Sequence, residues 1–209
     1  MDDELQEVLN PAMSAARSRA ESVEHEAANA EMSAVERDII LRDAGIPTRS
    51  REALQGCKDT APIRSVRAWM ADAGQPIIVL SGGVGCGKTV AAAWWLSQAI
   101  GERPKRKRRW WSAFELARLG MYSDTLPELV MGPLVIDDLC VEFVDERGAW
   151  LSTLEWLLNE RYEHGSRTAI TTNLAPQQFK TRYGERIHDR LKDGALWAHV
   201  LGPSLRKAK

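Results

Sequence analysis

The chain of 209 residues lacks the features that mark disulfide-rich, zinc-binding and membrane proteins. It has only three cysteines, which form no Cys-x-x-Cys pair, so the sequence indicates neither a disulfide framework nor a zinc site. No segment approaches the ~18 uninterrupted apolar residues of a membrane-spanning helix, and the acidic start is the opposite of a signal peptide's basic start. The formal net charge of −1 selects no type of partner. We expect a cytoplasmic protein with one medium domain and an appendage.

Charge is nevertheless distributed unevenly along the chain. Residues 1–45 carry eleven acidic and four basic side chains, whereas residues 101–122 carry seven basic and two acidic ones. Six of these bases lie directly before Trp110 and Trp111: Arg103, Lys105, Arg106, Lys107, Arg108 and Arg109. Such a cluster binds phosphate backbones, and exposed aromatic side chains beside it stack on unpaired bases. The alternative is a solvated loop before a core strand that buries tryptophan. The cluster is therefore a candidate nucleic-acid-binding segment.

The acidic N-terminal region predicts helix. Residues 14–44 are rich in Ala, Glu and Arg, with Val23, Ala27, Ala30 and Ala34 at helical spacing. An apolar face built mainly of alanine buries little area, so this helix needs a partner surface. We predict a helical N-terminal extension over residues 1–55, which is a candidate for partner binding, and a main domain over residues 56–209. The passage 45–56 is rich in turn residues and precedes a short helix at 63–73.

From residue 75 onward, short apolar runs alternate with amphipathic segments, which is typical of a parallel α/β sheet flanked by helices. Five strands are predicted, at residues 77–81, 110–112, 134–137, 169–172 and 198–201. Helices are predicted between them at residues 88–100, 113–119 and 150–163, with a helix pair over 176–192. The predicted fold class is therefore α/β.

A phosphate-binding loop follows the first predicted strand. The pattern G-x-x-x-x-G-K-[ST] is matched by Gly82, Gly83, Val84, Gly85, Cys86, Gly87, Lys88 and Thr89. Glycines let successive backbone N–H groups point at phosphate oxygens, and the helix that continues through Val90 adds its positive N-terminal end. Lys88 is then expected along the phosphates, and the Thr89 hydroxyl on Mg²⁺. A glycine-rich turn that precedes Lys-Thr by chance is the alternative. The pattern predicts ATP and Mg²⁺ as ligands.

Two later strands end in polar side chains. Asp137 and Asp138 end an apolar strand, as expected of a Walker B element, with Asp137 supporting Mg²⁺ and Asp138 polarising the attacking water. The alternative for an Asp-Asp pair is a turn or a helix cap. Asn173 follows the next strand, and strand ends of a parallel sheet gather at the ligand crevice, so its amide is expected near the γ-phosphate or the lytic water. The alternative is that Asn173 caps the turn before Pro176.

These motifs together resemble the DnaC/IstB family of AAA+ ATPases, which includes helicase loaders and the ATPase helpers of some transposases. The resemblance is carried by the phosphate loop, Ile-Asp-Asp-Leu at 136–139 with Glu142, and Thr-Thr-Asn-Leu at 171–174. Further matching segments are residues 42–47, 157–162, 183–191 (Tyr-Gly-Glu-Arg-Ile-His-Asp-Arg-Leu) and 202–206. The resemblance implies an AAA+ core over residues 56–209.

The resemblance also implies roles for single residues. Asn173 corresponds to sensor 1, and Arg190 lies where the family has its trans-acting arginine finger, with Arg186 as the reserve candidate. Such a finger implies a homo-oligomeric ring or spiral. The alternative is that Arg190 is a helix-surface arginine paired with Asp189 or Glu185. Arg206 corresponds to a sensor 2 residue, with a cap of the C-terminus as the alternative. The short stretch after it leaves no room for a C-terminal helical lid, so none is expected.

The function that these observations favour is Mg²⁺-dependent ATP hydrolysis by a helicase-loader-type protein. Its expected partners are a replicative helicase and DNA, most simply single-stranded. The first alternative is an IstB-like transposition helper, which has a transposase as its partner. An alternative from another class is a small P-loop kinase acting on a metabolite, although no separate arginine-rich lid segment is recognisable in the sequence.

Overall fold

A computed structural model describes residues 34–72, 74–100, 107–142, 148–201 and 204–205. The chain divides into two units, residues 1–39 and 40–209, and every strand described lies in the second unit. The strands are β1 (Ile77–Gly82), β2 (Trp110–Ser112), β3 (Leu134–Asp137), β4 (Thr168–Thr172) and β5 (Ala195–Val200). Within the described residues, no helix is long and apolar enough to cross a bilayer.

Helices occupy most of the intervals between the strands. Of the helices in the described residues, three precede β1: α1 (Ala34–Asp43), α2 (Thr48–Leu54) and α3 (Ala61–Ala71). The helix α4 (Lys88–Ala99) follows the phosphate loop, and two short helices, α5 (Ala113–Ala117) and α6 (Thr125–Val130), separate β2 from β3. The last three are α7 (Ala149–Glu163), α8 (Pro176–Tyr183) and α9 (Glu185–Gly194).

The five described strands form one parallel sheet in the order β2-β3-β4-β1-β5. Successive side chains of a strand point to opposite faces. Ile77 and Val79 accordingly belong to one hydrophobic core, whereas Ile78 and Leu80 belong to the core on the other face. Because both faces are covered, β1 and β3 begin with continuous apolar runs, at residues 77–80 and 134–136. The order also places β4 between β1 and β3, so the ends of these three strands lie side by side.

The predicted α/β architecture is confirmed, with differences at particular elements. The turn-rich passage before residue 56 contains α2, a seven-residue helix too short to show periodicity. It begins directly after Pro47, whose carbonyl accepts hydrogen bonds from the N–H groups of Ser50 and Arg51. The six-residue α6 was not predicted, since it is too short to show helical periodicity. Strand β5 begins at Ala195, three residues before the predicted start. Of the predicted helix 14–44, residues 34–43 are helical and residues 14–33 lie outside the described residues.

Arg161 of α7 binds the backbone at the starts of β3 and β4, at the edge of the sheet opposite the phosphate loop. Its side chain is fully buried. The guanidinium Nε donates to Thr168 Oγ1 at 2.8 Å, and its two terminal nitrogens donate to the carbonyl oxygens of Leu129, Val130, Gly132 and Arg167. Burial and the charge of Arg109 lower the pKa of Arg161 to about 9, so the group stays protonated at neutral pH. One side chain therefore satisfies the carbonyls that lead into β3 and β4.

Replacing Arg161 with leucine should lower the free energy of unfolding by about 3–4 kcal/mol, because several buried carbonyls lose their donor. Urea denaturation measures this loss. The matched control is Arg64→Leu, which removes an arginine that is exposed and pairs with Asp59 at 3.4 Å. That change should cost less than about 1 kcal/mol. Equal losses in the two variants would contradict the role given to Arg161.

Candidate nucleotide site

The loop between β1 and α4 has a backbone that requires glycine. Gly82 has a φ of +141°, and a Cβ built on it would lie 2.3 Å from the carbonyl oxygen of Val200. Gly85 and Gly87 also have positive φ values, of +85° and +93°. Side chains at these positions would strain the backbone or collide with β5 and the C-terminal segment. The loop therefore curves tightly at the carboxyl end of β1, where α4 begins at Lys88.

Lys88 is buried at the centre of this loop, with 5% of its surface exposed. Its ammonium group donates to the carbonyl oxygens of Gly82 and Gly83, each at 2.8 Å. A third hydrogen bond reaches Asn173 Oδ1 at 2.9 Å. The positive charge is thus fixed between the phosphate loop and the end of β4. The structure brings Lys88 and Asn173 together across 85 residues of sequence, as the strand-end argument expected.

Thr89 and Asp137 meet beside Lys88. The Thr89 hydroxyl donates to Asp137 Oδ1 at 3.1 Å, and the Thr171 hydroxyl donates to the same oxygen at 2.6 Å. Burial is the largest cause of a raised pKa, about 6, for Asp137; the Asp138 charge also raises the pKa, whereas the two hydroxyl donors oppose the shift. A hydroxyl and a carboxylate this close are hard oxygen donors of the kind that Mg²⁺ prefers beside phosphates. The pair fits a magnesium site.

Asp138 lies in a strained turn after β3. Its φ is +56° and that of Cys140 is +154°, both uncommon for residues with a Cβ, at a cost of about 1–3 kcal/mol each. Strand β4 holds this turn: Asp138 N–H donates to Thr171 Oγ1 at 2.9 Å, and Leu139 N–H to the Thr171 carbonyl at 2.8 Å. The Thr172 hydroxyl donates to the Leu139 carbonyl at 2.5 Å. These bonds fix the backbone that carries the second carboxylate.

A cleft of about 710 Å³ opens above these groups. Lys88, Thr89, Asp138 and Asn173 line it together with Val84, Gly85, Gly87 and Val90. Other lining residues come from α2, the segment that joins it to α3, the start of α3 and the C-terminal region, and sequence reasoning missed them: Ala53, Gly56, Cys57, Lys58, Thr60, Ile63 and Leu205. The Leu205 N–H donates to the Gly85 carbonyl at 2.8 Å. No sequence motif predicts these residues as part of the site, because only the folded chain brings them next to the phosphate loop.

The two predicted finger arginines lie elsewhere. Arg186 and Arg190 line a second cleft of about 420 Å³ between α7 and α9. Arg190 is 3.7 Å from Glu163 Oε1, and its guanidinium lies 5.6 Å from the centre of the Tyr162 ring. Neither arginine lines the nucleotide cleft of its own chain. Arg206, the predicted sensor 2 residue, lies outside the described residues.

The basic segment is only partly described, since Arg103, Lys105 and Arg106 lie outside the described residues. Lys107 pairs with Glu128 at 3.2 Å, and Arg109 donates to the carbonyls of Glu128 and Met131. Arg108 pairs with Glu115 at 2.6 Å and stacks over Trp111 at 4.2 Å. Trp110 and Trp111 are both buried, which favours the core-strand alternative for the tryptophans and keeps their rings from stacking on bases.

Comparisons with known proteins bear on the fold. No protein-family model matches the chain, and no curated protein matches its sequence. Among solved structures, the DnaC helicase loader matches with a TM-score of 0.52 and 17% identity over 69% of this chain and 92% of that one. DnaI matches with a TM-score of 0.52 and 24% identity over 69% and 82%. The replication initiator DnaA bound to AMPPCP and single-stranded DNA matches with a TM-score of 0.50 and 20% identity over 66% and 44%.

These likenesses and the sheet define the fold. The chain has an α/β fold with a phosphate loop after its first strand, and the solved structures of DnaC, DnaI and DnaA are similar to it. The fold resemblance that the motifs predicted is therefore confirmed, whereas the roles of single residues remain predictions.

The raised pKa of Asp137 predicts how stability varies with pH in the absence of nucleotide. The folded chain, with a pKa of about 6, binds this proton more tightly than the unfolded chain, for which 3.8 is the usual value. Stability therefore falls as pH rises through this window, by about 1–2 kcal/mol between pH 5 and pH 7.5. Asp137→Asn should remove that fall, because the amide resembles the protonated acid. Urea denaturation at the two pH values measures it.

The control for this prediction is Asp193→Asn, which changes an exposed aspartate on α9. It should leave the pH dependence of unfolding as in the wild type. If Asp137→Asn and the wild type lose stability in parallel as pH rises, the proton held by Asp137 is not the cause.

Proposed function

We propose that this chain binds ATP with Mg²⁺, hydrolyses the γ-phosphate bond, and acts as a helicase-loader-type AAA+ protein in DNA replication. One observation carries the proposal: the ends of β1, β3 and β4 place Lys88, Thr89, Asp138 and Asn173 on one cleft, with Asp137 hydrogen-bonded to Thr89. Binding, metal support and water activation are the three tasks of ATP hydrolysis. This set of side chains has a group for each.

In the proposed mechanism, each group has one task. The ammonium of Lys88 exchanges its hydrogen bonds with the loop for phosphate oxygens and stabilises the charge that develops there. Thr89 and Asp137 would hold Mg²⁺, which would neutralise charge at the phosphates. Asp138 orients and polarises the attacking water, since its turn places it on the cleft beside Lys88. The Asn173 amide, released from Lys88, orients the water or the γ-phosphate.

The biological setting is proposed on the fold likenesses. One of the similar structures is a helicase loader, and another is DnaA bound to AMPPCP and single-stranded DNA. We propose that residues 1–55 dock on a replicative helicase and that the AAA+ domain spans residues 56–209. Single-stranded DNA is the proposed nucleic-acid partner, with the basic segment 103–109 as a contact and the cytoplasm as the compartment.

The position of the arginines supports a proposal of assembly. Arg190 and Arg186 lie exposed on α9, away from the nucleotide cleft of their own chain. A guanidinium there is accessible to the ATP of a second copy, where a planar, always charged donor stabilises the transferring phosphoryl group. Such a head-to-tail contact repeats into a ring or a spiral. We propose Arg190 as the finger that acts in trans and Arg206 as an additional nucleotide contact.

The test of the function is ATP binding and turnover in Lys88→Ala. Removal of the ammonium should lower DNA-stimulated turnover by about a hundredfold or more and weaken Mg²⁺-dependent ATP binding, because the phosphates lose their main positive charge. Lys180→Ala, which removes a lysine paired with Glu185 outside the cleft and outside the basic segment, is the matched control and should keep turnover. A folded wild type that binds no ATP in the presence of Mg²⁺ would refute the proposal. Transfer of phosphate to a metabolite instead of water would favour the kinase.

A mixing experiment tests the trans arginine. Arg190→Ala and Asp138→Asn should each bind ATP and lose at least about tenfold in turnover alone. Mixed, they should regain part of the turnover, because an Asp138→Asn subunit lends its Arg190 to the intact Asp138 site of its neighbour. Arg186→Ala serves as the comparison variant. No recovery on mixing would remove the trans assignment, and recovery with Arg186→Ala instead would move it to Arg186.

Capture of a transposase rather than a helicase by the full chain would favour the transposition helper.

A further inference from the structure

Glu142 is a buried carboxylate next to the nucleotide site that the proposed mechanism does not use. It lies four residues after Asp138, and only 2% of its surface is exposed. Its two oxygens face different elements. Oε2 accepts a hydrogen bond from the Cys140 N–H at 2.9 Å, and Oε1 accepts one from the Tyr183 hydroxyl at 2.5 Å. A buried carboxylate is costly unless it is fully bonded, so its retention here calls for a role.

The first oxygen acts on the turn that carries Asp138. The turn is strained at Asp138 and at Cys140, and β4 holds only its first half, through the bonds to Thr171 and Thr172. The bond from Cys140 N–H to Glu142 holds the second half. Strained backbone persists only where surrounding contacts fix it. Glu142 therefore supplies the contact on the side that β4 does not reach.

The second oxygen ties the turn to α8. Tyr183 is the last residue of that helix, is 3% exposed, and packs its ring against Phe179 at 4.4 Å. The adjacent Arg182 donates to the Glu142 carbonyl at 2.7 Å and lies 3.5 Å from its carboxylate. The end of α8 is therefore a rigid, core-anchored support. Gly184 follows, and α9 with Arg186 and Arg190 begins directly after it.

We infer that Glu142 and Tyr183 are positioning residues for hydrolysis: through the Cys140 N–H they hold the turn that presents Asp138 to the attacking water. The inference rests on the proposed ATPase function and adds to it a control point at the end of α8. Neither residue lines the nucleotide cleft, so the pair acts on the chemical step and not on nucleotide affinity. The same contact joins the start of α9 to the catalytic turn, so displacement of α9 in an assembly changes the orientation of Asp138.

Three variants separate this role from packing alone. Tyr183→Phe keeps the ring and removes only the hydroxyl donor to Oε1. Glu142→Gln keeps an oxygen for the Cys140 N–H and presents its NH₂ to the Tyr183 hydroxyl, which accepts as well as donates. Glu142→Ala removes both contacts. Val66→Ala is the stability control, because Val66 is fully buried in the core on the other face of the sheet.

The measurements are kcat, KM and the Kd for ATP with Mg²⁺, together with hydrogen exchange at the amides of residues 138–140 in the free protein. Tyr183→Phe should lower kcat about tenfold and leave Kd within about twofold, the pattern of lost transition-state positioning. Amide exchange in the turn should accelerate in the same variant. Glu142→Ala should lower kcat at least as much, Glu142→Gln should recover most of it, and Val66→Ala should keep it.

Each other outcome has a clear meaning. An active wild type whose kcat and turn exchange are unchanged by Tyr183→Phe would overturn the inference and leave the ATPase function standing. A parallel loss of ATP affinity and kcat, or an equal loss of kcat in Val66→Ala, would show that the contact contributes only to general stability. Either result would also overturn the inference. A folded wild type that binds ATP but never hydrolyses it would overturn the proposed hydrolysis and this inference together.

Discussion

The site depends on one buried ammonium group. Lys88 uses its three donors on two carbonyls of the phosphate loop and on Asn173, so it holds the loop closed and ties β1 to β4. A buried charge is stable only with such complete bonding. In the proposed ATP complex, phosphate oxygens would replace these bonds, since an anion offers the ammonium a stronger partner than a carbonyl does. The free protein therefore keeps the position of the charge ready for the ligand.

The strand order explains why three consecutive residues, 171–173, contact the groups of the site at the ends of both β1 and β3. Because β4 lies between β1 and β3, its end reaches both neighbours. Asn173 turns to Lys88 on the β1 side, while the hydroxyls of Thr171 and Thr172 hold Asp137 and Leu139 on the β3 side. A parallel sheet with β1 and β3 in direct contact would have no strand end to join the phosphate loop to the acid pair. The Thr-Thr-Asn sequence is thus a structural joint as well as a candidate sensor.

Sequence reasoning found the parts of the site whose chemistry is local. The phosphate loop and the pair Asp137 and Asp138 follow apolar runs, and their residue types and spacing are sufficient to predict the place of each group. The contact of Glu142 with Tyr183 spans 41 residues, and the Leu205 segment closes on a loop over a hundred residues earlier. No short pattern records such pairings. Trp110 and Trp111 show a different limit of sequence reasoning: one local pattern fits two structures. Aromatic side chains beside cations have the same sequence pattern whether they are buried or exposed.

The electrostatics of the acid pair connect the fold to the proposed chemistry. In the free protein, burial and then repulsion by the adjacent Asp138 carboxylate raise the pKa of Asp137. The hydroxyls of Thr89 and Thr171 offset only part of that cost. A divalent cation would offset the repulsion between the two carboxylates. In the proposed complex, metal-bound nucleotide should therefore bind most favourably beside Asp137, where the free protein bears the largest electrostatic cost. The free protein thus has two energetic costs at the end of β3. Hydrogen bonds with β4 and Glu142 stabilise the strained turn at Asp138, and bound Mg²⁺ would lower the cost of the Asp137 charge.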